Sequence, residues 1–240
     1  MFNFSQWWCK FLLALALTLV GPLSAVGQDL VVVAPELAKV EYEDARVRVV
    51  RLRIPEHAFL PTHDRPRRVV VSLTANHVLL TRTNGTTSVT RTEAGTIAWS
   101  EPAMRSVLNL GGPVENIVVE LKQTDNPGEP VAHPPAVPPG QYLSDPRHKW
   151  VLENQYVRVY DVRIPPGETT TFHRHAYDQV AVFVSGGFVS DQSDGQPWGE
   201  PKAIEPRSVS FAANAAKTMT HRVRNDGKTD YHVVLVQFLK

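Results

Sequence analysis

A short stretch in the second half of the chain places side chains at spacings that suit a metal ion. Gly167 is followed, after five residues, by His173, Arg174 and His175, and then by Gln179. Residues 173, 175 and 179 have the same parity, so on one β-strand their side chains point to one face. Neutral imidazole binds zinc, copper, iron and nickel, and a site with few protein ligands keeps positions open for substrate. The stretch therefore predicts one wall of a metal pocket.

A later histidine can complete this candidate site from another strand. His221 precedes Asn225 by four positions near the C-terminus. The alternative is a set of barrel histidines that hydrogen-bond to Tyr177 or Asp178 with no metal present. The residues alone leave both interpretations open.

Other histidines carry weaker signals. His148 and His232 are expected to be structural or to face solvent, because neither lies within a recognisable ligand spacing. His57, His77 and His133 belong to no motif.

The sequence segment that contains the first two histidines of the candidate site is an internal repeat of an earlier segment. A shift of 110 residues (152 minus 42) superimposes residues 42–85 on residues 152–195 without a gap. The shift brings identical residues together, with Glu43, Val47, Arg48, Val49, Arg53, Ile54, Pro55, His63, Val70 and Gly85 in the first copy. In each copy the alternation of apolar residues changes phase once, where Val49 is followed by Val50 or Val159 by Tyr160. This pattern predicts a strand with a β-bulge in both copies.

The rest of the chain favours short strands and one linker. Asn84-Gly85, Asp194-Gly195 and Asp226-Gly227 are hairpin-type dipeptides between apolar runs. Residues 124–140 contain six of the 19 prolines and predict an extended linker. We therefore predict an all-β protein with two barrel units, at residues 29–123 and 141–240.

The N-terminus has the pattern of a targeting segment. Lys10 precedes the apolar run Phe11–Val20, which Gly21 and Pro22 end before small residues follow. This run has ten residues, nine of them apolar, which is too few for a bilayer span of roughly 20. Residues 1–27 are predicted to be a cleaved signal peptide. We accordingly expect an exported protein, periplasmic or secreted, with no membrane contact after cleavage.

Charge excludes one large class of partners. Lys plus Arg number 25 against 24 Asp plus Glu, and the calculated pI is about 7.9. A chain so balanced offers no basic field for a phosphate backbone, so we expect no nucleic-acid partner.

The histidine stretch resembles the first motif of the cupin superfamily, G-x5-H-x-H-x3-E-x6-G, at every spacing from Gly167 to Gly186. Gln179 stands where cupins usually have glutamate. His221 and Asn225 match part of the second motif, G-x5-P-x-G-x2-H-x3-N. With the repeat, the chain resembles a bicupin, which has two tandem double-stranded β-helix barrels of jelly-roll type. The resemblance implies His173, His175 and His221 as ligands, Gln179 as a fourth, and Fe, Mn, Ni, Cu or Zn as the metal.

The first copy departs from that motif. His63, Arg65 and Val69 occupy the motif positions, and Asn109 is expected near the position of His221. One histidine cannot hold a metal ion, and arginine does not donate to one. We predict a structural or dimer-forming N-terminal barrel, which makes a homodimer the expected assembly.

Two functions follow from the resemblance. The first is a metal-dependent enzyme acting on a small molecule, as an oxygenase such as a dioxygenase, an isomerase or a hydrolase. Because an amide at Gln179 leaves the site more positive than a glutamate would, an anionic substrate is favoured. The second is a non-catalytic barrel that binds a small ligand, or stabilises a partner, with no metal. Fold alone does not decide between them.

Overall fold

The computed structural model describes residues 28–122 and 145–239. The predicted signal peptide (1–27) and the predicted linker (124–140) lie outside these ranges, so both stay predictions. The barrel limits at residues 29–123 and 141–240 likewise stay predictions. Within the described ranges, no helix combines the length and apolarity required to cross a bilayer.

The first half begins with a single helical turn, α1 (Leu30–Val33), whose N-cap Asp29 accepts a hydrogen bond from the backbone N–H of Val31. Nine strands follow: β1 (Ala38–Glu43), β2 (Val47–Ile54), β3 (Phe59–Arg65), β4 (Arg68–Ser72), β5 (Asn76–Arg82), β6 (Thr87–Thr92), β7 (Ile97–Ser100), β8 (Ala103–Asn109) and β9 (Val114–Leu121).

The second half also has nine strands within the described residues. They are β10 (His148–Glu153), β11 (Val157–Ile164), β12 (His173–His175), β13 (Gln179–Phe183), β14 (Gly187–Ser193), β15 (Lys202–Ile204), β16 (Val209–Ala212), β17 (Met219–Asn225) and β18 (Tyr231–Phe238).

The two halves have one topology. The first contains the sheets β1-β2-β9-β4-β7 and β3-β8-β5-β6, and the second contains β10-β11-β18-β13-β16 and β12-β17-β14-β15. Adding nine to every strand number of the first half gives the order of the second. The predicted fold class, two tandem all-β barrels of jelly-roll type, is confirmed.

The predicted bulge lies in a neighbouring strand. β2 and β11 pair with β9 and β18 in unbroken register. The register shifts instead between Val40 and Tyr42 in β1, and between Trp150 and Leu152 in β10. The change of phase in β2 and β11 has another cause, because these strands are buried on both faces.

The five-stranded sheets of the two barrels share one core. Val47 and Val49 of β2 pack in the same cluster as Val157 and Val159 of β11, and all four are fully buried. The later residues of these strands turn inwards, where Val50 packs in the N-terminal barrel and Tyr160 in the C-terminal one. The first part of each strand therefore packs in the contact between the barrels, and its later part packs in the interior of its own barrel.

Candidate metal centre

Three of the predicted ligands meet where β12 pairs with β17. His173 lies directly opposite His221 in the antiparallel register, and His175 lies two residues further along β12. All three side chains point into the C-terminal barrel and are buried, with exposed fractions of 4%, 3% and 8% for His173, His175 and His221. The ring centroids of these histidines are 4.7 to 5.0 Å apart. The H-x-H spacing thus places two imidazoles on one face, and strand pairing adds the third.

Asn225 fixes the end of the strand that carries His221. Its Nδ2 donates to the carbonyl oxygens of Ile164 and Thr229, both at 2.8 Å, and its Oδ1 accepts from the backbone N–H of Gly227. The backbone of Gly167 has φ 76°, a conformation that favours glycine, and its N–H donates to the carbonyl of Asn225. These two motif residues therefore hold the turn before β12 against β17.

His148 of β10 joins the cluster, although its sequence context suggested a structural or exposed position. One ring nitrogen from each of His148, His173 and His175 lies within 4.8 Å of the others. The ring of His148 is 4.3 Å from that of His173, centroid to centroid, and its residue is 8% exposed. His148 pairs with Val162, an interior residue of β11. No local spacing in the sequence indicates this register, so the position of His148 could not be predicted.

The Nδ1 atoms of His173 and His221 donate hydrogen bonds to acceptors outside the cluster, whereas Nδ1 of His148 has no hydrogen-bond partner within the described residues. Nδ1 of His173 donates to the carbonyl of Thr171 at 2.9 Å, and Nδ1 of His221 donates to the carboxylate of Asp191. Nδ1 of His148 lies 3.5 Å from Oδ1 of Asp145. Because a carbonyl or a carboxylate only accepts, Nδ1 of His173 and of His221 carries a proton, and Nε2 is the atom that each ring directs into the cluster.

Gln179 lies beside the imidazoles, with its oxygen on the far side of one ring. Its Oε1 is 3.1 Å from Nδ1 of His175 and 3.4 Å from Nε2 of Gln237. As the acceptor for His175, it directs the Nε2 of that ring towards His221, whose Nε2 is 3.0 Å away. The geometry favours a positioning role for Gln179 over the ligand role that the resemblance implied.

Burial keeps the imidazoles of His148, His173 and His175 neutral near pH 7. Burial, with the adjacent His148, lowers the pKa of His173 to about 2. Burial, with the adjacent His221, lowers the pKa of His175 to about 3, and burial also lowers that of His148. Neutral imidazole is the form that binds a metal.

The histidines form the polar end of a cavity of about 310 Å³. Val162, Val189 and Leu235 contribute apolar wall, whereas Lys202 and Tyr231 add polar groups. Burial and the carboxylate of Asp191 raise the pKa of Tyr231, so its phenol stays protonated and can donate a hydrogen bond. The cavity suits a small molecule with at least one polar group.

Two solved structures with TM-scores above 0.5 share this architecture. AerE from Microcystis aeruginosa aligns with TM-score 0.53 and 13% identity over 85% of this chain and 98% of its own. Oxalate decarboxylase from Lactobacillus farciminis, solved as a formate complex, aligns with TM-score 0.54 and 13% identity over 85% and 80%. A cupin 2 conserved barrel domain protein from Leptotrichia buccalis aligns with TM-score 0.48 and 9% identity over 84% and 88%.

The chain folds as a bicupin. No protein-family model and no curated protein matches it, and structural likeness at these identities establishes the fold alone.

The structure of the N-terminal barrel corrects one match that the sequence had suggested. Asn109 is the counterpart of Asn225, because its Nδ2 donates to the carbonyls of Ile54, Pro55 and Gly112 in the corresponding turn. The residue opposite His63 is Arg105, just as His221 is opposite His173. Only residues 101–102 separate β7 from β8, whereas residues 213–218 separate β16 from β17. This difference in length obscured the equivalence of Asn109 and Asn225 in the sequence.

Proposed function

We propose that this bicupin is an exported protein whose C-terminal barrel binds one divalent metal ion and uses it on a small molecule. The ligands are Nε2 atoms of His173, His175 and His221, joined by His148. The observation that carries the proposal is the convergence of buried imidazoles whose Nδ1 atoms donate to acceptors behind them. Metal-binding histidines in proteins have this arrangement, in which the second nitrogen donates to a carbonyl or carboxylate.

Electrostatics favours a cation at the centre of the cluster. The Nε2 atoms of His175 and His221 face each other across 3.0 Å, and two nitrogen lone pairs at that distance repel unless a proton or a metal lies between them. Burial opposes the proton, as the lowered pKa of His175 shows. A divalent ion bound by several imidazoles satisfies all of these lone pairs together.

The donor set narrows the choice of metal. Imidazole nitrogens suit zinc, copper, iron and nickel, whereas an all-oxygen set suits magnesium or calcium. The cupin resemblance adds manganese. Manganese prefers oxygen ligands, and no carboxylate lies among the proposed ligands, so this donor set suits it less well than the other four metals. When bound, the ion supplies Lewis acidity towards a substrate oxygen.

The chain's own groups favour an anionic substrate. The ammonium group of Lys202 and the phenol of Tyr231 line the same cavity as the imidazoles. A cation and a protonated hydroxyl can both orient a carboxylate or an enolate oxygen at the open side of the cluster. Oxygenase, isomerase and hydrolase chemistry all remain compatible with that placement, so the proposal stops at substrate class.

Metal stoichiometry tests the proposal. Purified protein is stripped with a chelator, titrated separately with Fe, Mn, Ni, Cu and Zn, and analysed for bound metal after desalting. We expect one ion per chain in wild-type protein, and loss of binding in His173→Ala and His221→Ala. His63→Ala is the matched control, since it removes the equivalent histidine of the other barrel, and it should leave binding unchanged.

The same titration decides against the alternative. If no metal binds, the non-catalytic barrel with a small ligand is the better interpretation. Two ions per chain would instead show that the N-terminal barrel also binds metal.

A further inference from the structure

The N-terminal barrel contains a second cavity, of about 670 Å³, in the place that corresponds to the metal cluster. Its polar end carries basic side chains, namely His63, Arg65, Arg68 and Arg105. Its walls are apolar and come from the barrel core, including Leu52, Ile54, Leu60, Val107 and Val118. A cavity with an apolar body and a few convergent polar groups is the usual form of a small-molecule site.

Two of these arginines stand where the other barrel has metal-binding histidines. Arg65 follows His63 by two residues on β3, as His175 follows His173 on β12. Arg105 pairs with His63 across β3 and β8, as His221 pairs with His173 across β12 and β17. His63 also repeats the hydrogen bond of His173, because its Nδ1 donates to the carbonyl two residues earlier at 2.9 Å. The scaffold is therefore the same, but its donors have changed from metal ligands to cations.

Each of the three arginines has a nitrogen without a hydrogen-bond partner in the part of the chain that the structure describes. The Nε atoms of Arg65 and Arg105 and Nη2 of Arg68 are buried without any hydrogen-bond partner. Neither Arg65 nor Arg105 forms an ion pair with a carboxylate of residues 28–122 or 145–239.

Arg68 forms an ion pair with Glu120, which it shares with Arg48. The side chain of Arg68 is only 1% exposed, and its Nη1 lies 3.3 Å from Oε1 of Glu120. The other oxygen of Glu120 accepts two hydrogen bonds from Arg48. Arg65, Arg68 and Arg105 thus meet at one cavity, which Arg82 also lines, and Glu120 is the carboxylate nearest to them. Glu101 lines the same cavity but is already paired with Arg67. A buried charge without a partner is costly.

We propose that the N-terminal barrel binds a small carboxylic acid with an apolar body, whose carboxylate lies between Arg65 and Arg105. The planar guanidinium group binds a carboxylate through two parallel hydrogen bonds, which gives both strength and orientation. The apolar walls receive the rest of the molecule. This site uses none of the proposed metal ligands and does not depend on metal in the other barrel.

The mutual repulsion of the arginines supports the same assignment. Burial, followed by the charges of Arg68 and Arg105, lowers the pKa of Arg65. An anion at the centre would reverse that repulsion. A purely structural role does not remove this repulsion, because an arginine side chain stays charged and only a bound anion offsets its charge.

The test uses phenylacetate as the probe and calorimetric titration of the full chain after treatment with EDTA. Wild-type protein should bind phenylacetate, and Arg65→Gln and Arg105→Gln should each weaken binding by roughly 10-fold or more, because each removes a charged hydrogen-bond donor. Arg91→Gln is the matched control, since Arg91 is exposed on β6 of the same barrel and does not line the cavity. Phenylacetamide, the neutral analogue, should not bind.

Further variants separate the two barrels. Binding should persist in His173→Ala, because that variant disables only the C-terminal cluster. The proposal is overturned if phenylacetate fails to bind at up to about 10 mM, if phenylacetamide binds equally well, or if the loss follows His173→Ala instead of the arginine variants. Arg105→Gln should also keep or raise the melting temperature of the ligand-free protein, whereas a structural arginine would lower it.

Discussion

Nε2 of His175 lies 3.0 Å from Nε2 of His221, and in both rings Nδ1 is already engaged by an acceptor behind it, Gln179 or Asp191. The two acceptors thereby determine the direction in which the lone pairs point. We therefore expect Gln179 and Asp191 to influence the affinity of the proposed metal site, although neither is a proposed ligand.

Replacing Asp191 by asparagine should weaken metal binding. The carboxylate makes the ring of His221 a stronger donor and orients it, so Asp191→Asn should lower the affinity by roughly 10- to 100-fold, as for comparable partners of metal-binding histidines. Competition with a chromophoric chelator measures the change. Asp194→Asn, an exposed residue just beyond the same strand, is the control. Equal affinity in both variants would mean that Asp191 does not act through His221.

Gln179 offers a test in both directions. Gln179→Glu puts a carboxylate behind His175, which should raise the affinity for metal, whereas Gln179→Leu removes the acceptor and should lower it. The binding of small carboxylates at the open side should change little, because the side chain stands behind the ring. If Gln179→Glu instead abolished the binding of small carboxylates while strengthening metal binding, Gln179 would be a ligand after all.

Much of this fold was predictable because it depends on local pattern. The ungapped repeat predicted two similar barrels, and the H-x-H spacing placed His173 and His175 on one face. An alternation of period two predicts which face of a strand is buried, but it does not predict which element or barrel that face packs against. The change of phase in β2 and β11 therefore suggested a bulge, whereas these strands are buried by a different barrel at each end.

The missed residues depend on pairing between distant strands. His148, Asp191 and Arg105 each lie on a strand with no motif of its own. Their proximity to the clusters follows from the registers of β10 with β11, β14 with β17 and β8 with β3. One sequence does not encode such registers in any local spacing, so only the folded sheets reveal them.

The shared core predicts that the two barrels unfold together. Val119 of β9 is fully buried between the five-stranded sheets, so Val119→Ala should cost about 2 kcal/mol through lost burial and the cavity left behind. Differential scanning calorimetry should show one transition that moves to lower temperature. Val89→Ala, at a position that is 56% exposed, should leave the transition in place. Two separate transitions, of which only one moves, would contradict the coupling.

His63 should make the metal-free protein less stable in acid. Burial lowers its pKa to about 4, and the charges of Arg65, Arg68 and Arg105 act in the same direction. The unfolded chain takes up a proton at His63 below its ordinary pKa of about 6.5, whereas the folded chain resists protonation down to about 4. The stabilisation is therefore complete above about pH 6.5 and is lost as the pH falls towards 4.

The magnitude follows from the difference in pKa. Because His63 is only 1% exposed, its part of the free energy of unfolding should fall by about 2 kcal/mol between about pH 7 and about pH 4.5. His63→Asn keeps a donor for the carbonyl of Pro61 but does not titrate, so urea unfolding of this variant should depend less steeply on pH. His57→Asn is the control, since this exposed residue has φ 58°, which asparagine tolerates. Parallel pH profiles for wild type and His63→Asn would show that His63 is protonated alike in the folded and unfolded chains, and would remove it from the acid sensitivity of the barrel.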